Sequence, residues 1–136
     1  MAPAIIESTL QTPIHLPEAS QVTAIYVTKD QEVRKGDPLL TATNPILNHQ
    51  IELAERDMRL LELEVRRYAA SPENLRDKLV SEQQLAEARS RLSGLLKRRD
   101  ELRLVAPSSG IVQFSRHIAP GHWLEPDQLG AIGVPF

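Results

Sequence analysis

The chain has 136 residues, 41% of them hydrophobic and 25% charged, with a formal net charge of −2. Its slight acidic excess lacks the basic footprint of a nucleic-acid binder, and the absence of cysteine excludes disulfides, thiol catalysis and cysteine-based zinc sites. The first residues carry no basic start followed by an apolar run, so no signal peptide is read there, and no segment approaches the ~18 apolar residues of a membrane span.

In the N-terminal part, Gln21 to Thr28 (QVTAIYVT) is rich in β-formers and is expected to be a strand. Lys29–Asp30 is a turn signal, Glu32–Val33 a short extended piece, and Lys35–Gly36–Asp37–Pro38 a second turn. Leu39 to Thr43 forms the closing strand, which Asn44–Pro45 stops.

The pattern then changes from period two to heptads. Apolar or small residues recur at Leu47, Ile51, Ala54, Met58, Leu61, Val65 and Tyr68, alternating four and three apart as in a coiled-coil seam. A second seam runs through Ser81, Leu85, Ala88, Leu92, Leu95, Arg99 and Leu102. Folded back antiparallel, Leu47 meets Leu102, Ala54 meets Leu95, Met58 meets Leu92, Leu61 meets Ala88 and Val65 meets Leu85. The residue numbers of each pair add to 149 or 150, and large residues face small ones. Ile51 against Arg99 and Tyr68 against Ser81 are the misfits. Helices of about 25 residues would give a hairpin on the order of 40 Å long.

The tip is expected near residues 69–80. Ser71–Pro72–Glu73 offers one helix start, and Ser81–Glu82–Gln83–Gln84 offers another as a capping box, with a short helical turn over 73–79 between them. Leu53, Leu60 and Leu63 lie off the seam. They either widen the buried stripe or make lateral contacts between neighbouring hairpins, which would make the parent protein a homo-oligomer. Gly94 sits inside the second helix, at an outward position or at a close approach by another helix. Lys97–Arg98–Arg99 is followed by acidic residues and reads as a solvated face or a weak phosphate or headgroup contact.

After the helices, the first layout returns. Gly110 to Ser115 is extended, Pro120–Gly121 turns, His122 to Leu124 is extended, Glu125–Pro126–Asp127 turns, and Leu129 to Ile132 is extended. Residues 17–45 and 107–135 align without a gap at an offset of ninety positions. Pro17 meets Pro107, Val22 meets Val112, Val33 meets Trp123, Asp37 meets Asp127, Leu39 meets Leu129 and Pro45 meets Pro135. Neither half has enough apolar surface alone, so the two should pack face to face.

Catalytic and metal chemistry finds no footing. His15, His49, His117 and His122 are scattered and show no metal spacing, and Ser108–Ser109–Gly110 is not a nucleophile elbow. Phosphate-binding glycine loops are missing. No catalytic, metal or cofactor residues are assigned, and the chain is read as non-enzymatic.

A β half, a coiled-coil hairpin and a second β half together resemble the HlyD-type membrane fusion protein, or periplasmic adaptor, family. The strings that carry the resemblance are Val33-Arg34-Lys35-Gly36-Asp37-Pro38-Leu39, Leu79-Val80-Ser81-Glu82-Gln83-Gln84-Leu85, Leu104-Val105-Ala106-Pro107-Ser108-Ser109-Gly110-Ile111-Val112 and Pro120-Gly121. The resemblance implies an α+β chain. A small lipoyl- or biotinyl-like β-sandwich (a barrel-sandwich hybrid of two half-motifs) would cover 5–44 and 104–136, and an antiparallel hairpin would cover 45–103. A true lipoyl or biotinyl carrier would hold its lysine at the turn joining the halves. Here Asn44–Pro45 and the insertion stand there, and Lys29 and Lys35 lie in other turns, so no cofactor is expected.

The resemblance further implies a periplasmic location and a parent protein anchored at the inner membrane, joining a transporter to an outer-membrane channel in efflux or secretion. Family tips dock through an R-x-x-x-L-x-x-x-x-x-x-S pattern. Arg67, Leu75 and Ser81 hold similar places here, but Leu75 follows Arg67 by eight and Ser81 follows Leu75 by six. Pro45-Ile46-Leu47 and Pro120-Gly121-His122-Trp123-Leu124 are similar to a subgroup in which the module belongs to a site-2-protease-type membrane metallopeptidase. That alternative implies a regulatory or substrate-sensing role beside a peptidase domain in the same chain.

Overall fold

The computed structural model describes residues 11–133. The expected start of the β region at residue 5 and the Pro135 member of the repeat lie outside the described residues. The chain is α+β and divides into two compact units. One ends at Asn44 and resumes at Glu101; the other is Pro45–Asp100.

Over the described residues the first unit is all β. Its strands are β1 (Gln11–Leu16), β2 (Ser20–Ile25), β3 (Glu32–Val33), β4 (Pro38–Thr43), β5 (Arg103–Val105), β6 (Gly110–Phe114), β7 (Trp123–Leu124) and β8 (Asp127–Gly133). They form two four-stranded sheets, ordered β1-β8-β6-β3 and β5-β4-β2-β7, and every pairing is antiparallel. Exchanging each strand for its counterpart in the other half turns the first order into the second. The halves therefore do not stack as two layers, as expected from their sequences; each sheet takes strands from both.

The short strands cause this exchange. Two-residue β3 and β7 hold no sheet by themselves, and each adds to the long strand of the other copy. Ser20 and Gln21 pair with Leu124 and Trp123, while Gly110 and Ile111 pair with Val33 and Glu32. The flanking turns repeat the reciprocity. Asp30 N–H donates to the Val112 carbonyl and Val112 N–H to that of Gln31, both at 3.0 Å. In the other copy Gly121 N–H donates to the Val22 carbonyl at 2.7 Å and Val22 N–H to that of His122 at 2.8 Å.

Two features of the repeat differ from the ungapped alignment. The counterpart of Val33 is Leu124, because Val33 and Leu124 are buried whereas Trp123 is 51% exposed. The second copy has gained one residue before its short strand, and a one-residue slip turns a strand's side chains to the other face. The repeat also begins earlier, at β1 and β5. Ile14 and Leu16 in the first, and Leu104 with Ala106 in the second, alternate into the core with exposed neighbours.

Val22, Leu39, Val112, Leu129 and Ile132 are almost fully enclosed. At Gly130 the strands approach so closely that a β-carbon would run into the Gln113 carbonyl oxygen. Only glycine permits that spacing.

The second unit consists of α1 (Pro45–Ala69), a 3-10 turn (Pro72–Asn74) and α2 (Leu75–Asp100). Pro45 opens α1 at the first helical position, where its missing N–H costs no hydrogen bond. The chain reverses at Ala70 and Ser71, with Ser71 extended (φ −129°, ψ 109°) and Pro72 entering the 3-10 turn. Helix α2 then runs without interruption through Ser81, so the capping box there starts no helix. Glu82, Gln83 and Gln84 are ordinary helix formers once an earlier start has supplied the nucleus.

Candidate functional site

The seam residues fall into two groups by burial. On α1, Leu47, Ile51 and Ala54 are buried, whereas Met58, Leu61 and Val65 are half-buried. On α2, Ser81, Leu85, Ala88 and Leu92 are buried, and Leu95 is half-buried. Leu102 lies beyond the end of α2 in the β unit, where its carbonyl accepts the Ala42 N–H at 3.0 Å. Leu61 and Ala88 line one groove between the helices, and Ala54 and Leu95 line another. Asp57 and Arg91, which belong to both grooves, form an ion pair at 3.8 Å.

At the reversal, the Arg67 guanidinium sits 5.2 Å from the centre of the Tyr68 ring, a cation–π distance. The Ser71 N–H donates to the Tyr68 carbonyl at 3.2 Å, and the Asn74 N–H donates to the Ser71 carbonyl at 3.1 Å. A hydrogen bond from the Ser71 hydroxyl, and then one from the Glu73 backbone N–H, hold the Glu73 carboxyl below its ordinary range. Leu75, Leu79 and Val80 are each half or more exposed, at 58%, 56% and 50%. Ser81 faces the other way and is 4% exposed. Arg67 and Leu75 thus reach the surface of the tip, whereas Ser81 belongs to the helix interface.

Leu53, Leu60 and Leu63, read from the sequence as lying off the seam, are exposed, and Ile46 joins them. Ile46, Leu53 and Leu60 are seven apart and share one face, a spacing visible in the sequence once Ile46 is included. On the β unit, exposed Tyr26 and Val105 flank a cavity lined also by Pro38, Leu40, Thr41, Arg103 and Leu104.

Among the described residues, chemistry-bearing groups do not gather elsewhere. His117 and His122 meet edge to face at 6.0 Å, but among the described residues no cluster of three or more His, Asp or Glu side chains could hold a metal ion. Asp127 accepts the Gln128 N–H at 2.7 Å and the Arg116 guanidinium at 2.6 Å. The backbone bond first and Arg116 second keep its carboxyl below the usual range. Both are turn-stabilising contacts on the surface. No helix among the described residues is long and apolar enough to cross a membrane.

No model of a known family and no curated protein matches the sequence. Solved structures do match. A MacA–MexA chimera carrying the α-hairpin domain of Pseudomonas aeruginosa MexA superposes with a TM-score of 0.80 at 15% identity, over 95% of this chain and 49% of that one. The membrane fusion protein Spr0693 of Streptococcus pneumoniae R6 gives 0.65 at 14% identity, over 91% and 62%. The periplasmic adaptor protein EmrA gives 0.54 at 11% identity, over 91% and 72%. At such identities the likeness is one of fold, and the chain spans about half the length of the first of these proteins.

Proposed function

We propose that this chain is the hairpin-bearing module of a periplasmic adaptor, a membrane fusion protein that works without catalysis. The observation that carries the reading is the split β unit: a two-fold set of eight strands, interrupted between Asn44 and Glu101 by a two-helix insertion. Membrane fusion and periplasmic adaptor proteins share that fold over more than nine-tenths of this chain. The β unit corresponds in this reading to a lipoyl-like sandwich that has given up its carrier lysine, and the helices to an antiparallel coiled-coil hairpin. The parent protein is anchored at the inner membrane and joins a transporter there to an outer-membrane channel.

Within the module, Arg67, Leu75 and Ser81 are the residues we assign to recognition at the tip. Leu75 offers an exposed apolar side chain to a partner, and Arg67 offers a charge steadied over Tyr68. Buried Ser81 contributes by letting α2 approach α1 at that level, since a small side chain needs little room. In the full-length adaptor, Leu75→Asp should weaken co-purification with the outer-membrane channel roughly tenfold, as loss of an interface anchor does. The melting temperature should not change, because the side chain is already in water. Unchanged channel binding would remove the tip from the reading.

A further inference from the structure

Helix α1 carries a second heptad stripe. Leu53, Arg56, Leu60 and Leu63 follow one another at steps of three and four residues, and each stands two positions after a residue of the seam. Two residues are just over half a turn of helix, so this stripe lies on the face of α1 turned away from α2. All four side chains are exposed, the leucines at 41%, 56% and 58%. A helix with heptad stripes on opposite faces is suited to pack between two neighbours, and α2 of the same chain is one of them.

Helix α2 has a stripe of the opposite kind. Ala86, Ser90, Ser93 and Lys97 stand two positions before its seam residues, again on the face turned away from the partner helix. All are exposed, and a β-carbon added at Gly94 beside them would meet nothing within 4 Å. The antiparallel register fixes which residues of the two stripes lie level: Leu53 with Lys97, Arg56 with Ser93, Leu60 with Ser90 and Leu63 with Ala86. It does not fix their sizes. Arg56, Leu60 and Leu63 nonetheless stand level with serine or alanine, the large-against-small match that packed helices prefer. Glu52, beside Leu53, brings a carboxylate to the level of Lys97.

We infer that the outer face of α1 is covered by the outer face of α2 of a second copy, with the helical units side by side and pointing the same way. The inference rests on the adaptor reading at one point, the shared direction, since modules anchored in one membrane present their tips to one side. Other pairings with that direction are poorer. Packing α1 on α1 brings Arg56 onto Arg56, which is repulsive. Packing α2 on α2 covers no leucine of the stripe and brings Lys97 onto Lys97. Because the two faces differ, each contact leaves one of each uncovered, and the arrangement repeats from copy to copy until a ring closes.

The test is disulfide trapping in the full-length parent protein. This chain brings no cysteine of its own, and any elsewhere in the parent is first changed to serine. Leu60→Cys with Ser90→Cys in one chain should give a ladder of dimers, trimers and higher species, because the two sites lie on opposite edges and join only separate copies. Leu60→Cys alone should give no dimer. Adding Gly94→Arg to the double variant should thin the ladder roughly tenfold, as an overpacked contact does. The melting temperature should not fall, since the site is open within one copy. Leu75→Asp should leave the ladder intact while it weakens channel binding, so failure of this contact and failure of the adaptor reading are told apart. A dimer from Leu60→Cys alone, a double variant that stays a single band, or a ladder indifferent to Gly94→Arg would overturn the proposal.

Discussion

The two units of this chain solve the burial problem in different ways. In the β unit, every long strand has a neighbour from the other half, and its inward residues reach 0% exposure at Leu39, Val112, Leu129 and Ile132. The helical unit has two helices, and its seam is almost fully enclosed at Leu47 and Ile51 but open toward the reversal. Ala88 and Leu92 are buried there, but Met58, Leu61 and Val65 are covered only in part. Two helices alone leave the seam short of cover near the reversal.

Breaking the helical unit should give the largest effect. Leu85→Asp with Leu92→Asp places two unpaired charges in the seam, at a cost of several kcal/mol, and should abolish the circular-dichroism signal at 222 nm. The β-unit amide resonances should keep their dispersion. One shared unfolding step would show that the two units are not independent.

The glycines sharpen the contrast at a smaller scale. Gly130→Ala forces a methyl group against the Gln113 carbonyl and should destabilise the β unit by about 1–3 kcal/mol. Gly94 lies mid-helix, and a β-carbon there would meet nothing within 4 Å, so Gly94→Ala should stabilise the helical unit by about 1 kcal/mol. Urea titrations of both variants check the two signs together.

The smallest effect is the acid limb. Asp127 in the β unit and Glu73 in the helical unit both have lowered pKa values in the folded chain. Each stabilises above the ordinary carboxylate pKa, and that stabilisation is lost as pH falls through the depressed folded value. Asp127→Asn should therefore flatten the loss of β-unit stability in acid while leaving the acid response of the helices unchanged. Comparing urea midpoints at neutral pH and near pH 3 measures it.

How readable each unit was follows from how local its signals are. The helices declared themselves, because a seam every three or four residues is a property of adjacent turns. Their exact start was less evident, since Ser81 satisfies a capping rule equally well in mid-helix. Strands β2, β3, β4, β6, β7 and β8 were marked by turn residues on both sides. The edge strands β1 and β5 were not. Pro13 interrupts the first, which an edge strand tolerates, and the three residues of the second follow directly on Leu102, whose spacing continued the helical seam. The interleaving of the halves was hidden too, because partners such as Val33 and Gly110 are chosen by the pairing geometry of distant segments.

At the tip, exposure separated residues that the motif had grouped. Leu75 and Ser81 share a sequence neighbourhood, but their positions around α2 turn one outward and the other in.

The exchange of strands between halves also constrains how the chain can fold. β2 needs β7, and β3 needs β6, yet the whole helical insertion is translated between the two partners. Until the second half joins it, the first half keeps its long strand unpaired on one side. The helices can complete themselves in that interval, since all their contacts are local in comparison. The insertion can thus form ahead of the unit it interrupts, and the β unit closes only once the strands on both sides of it are together.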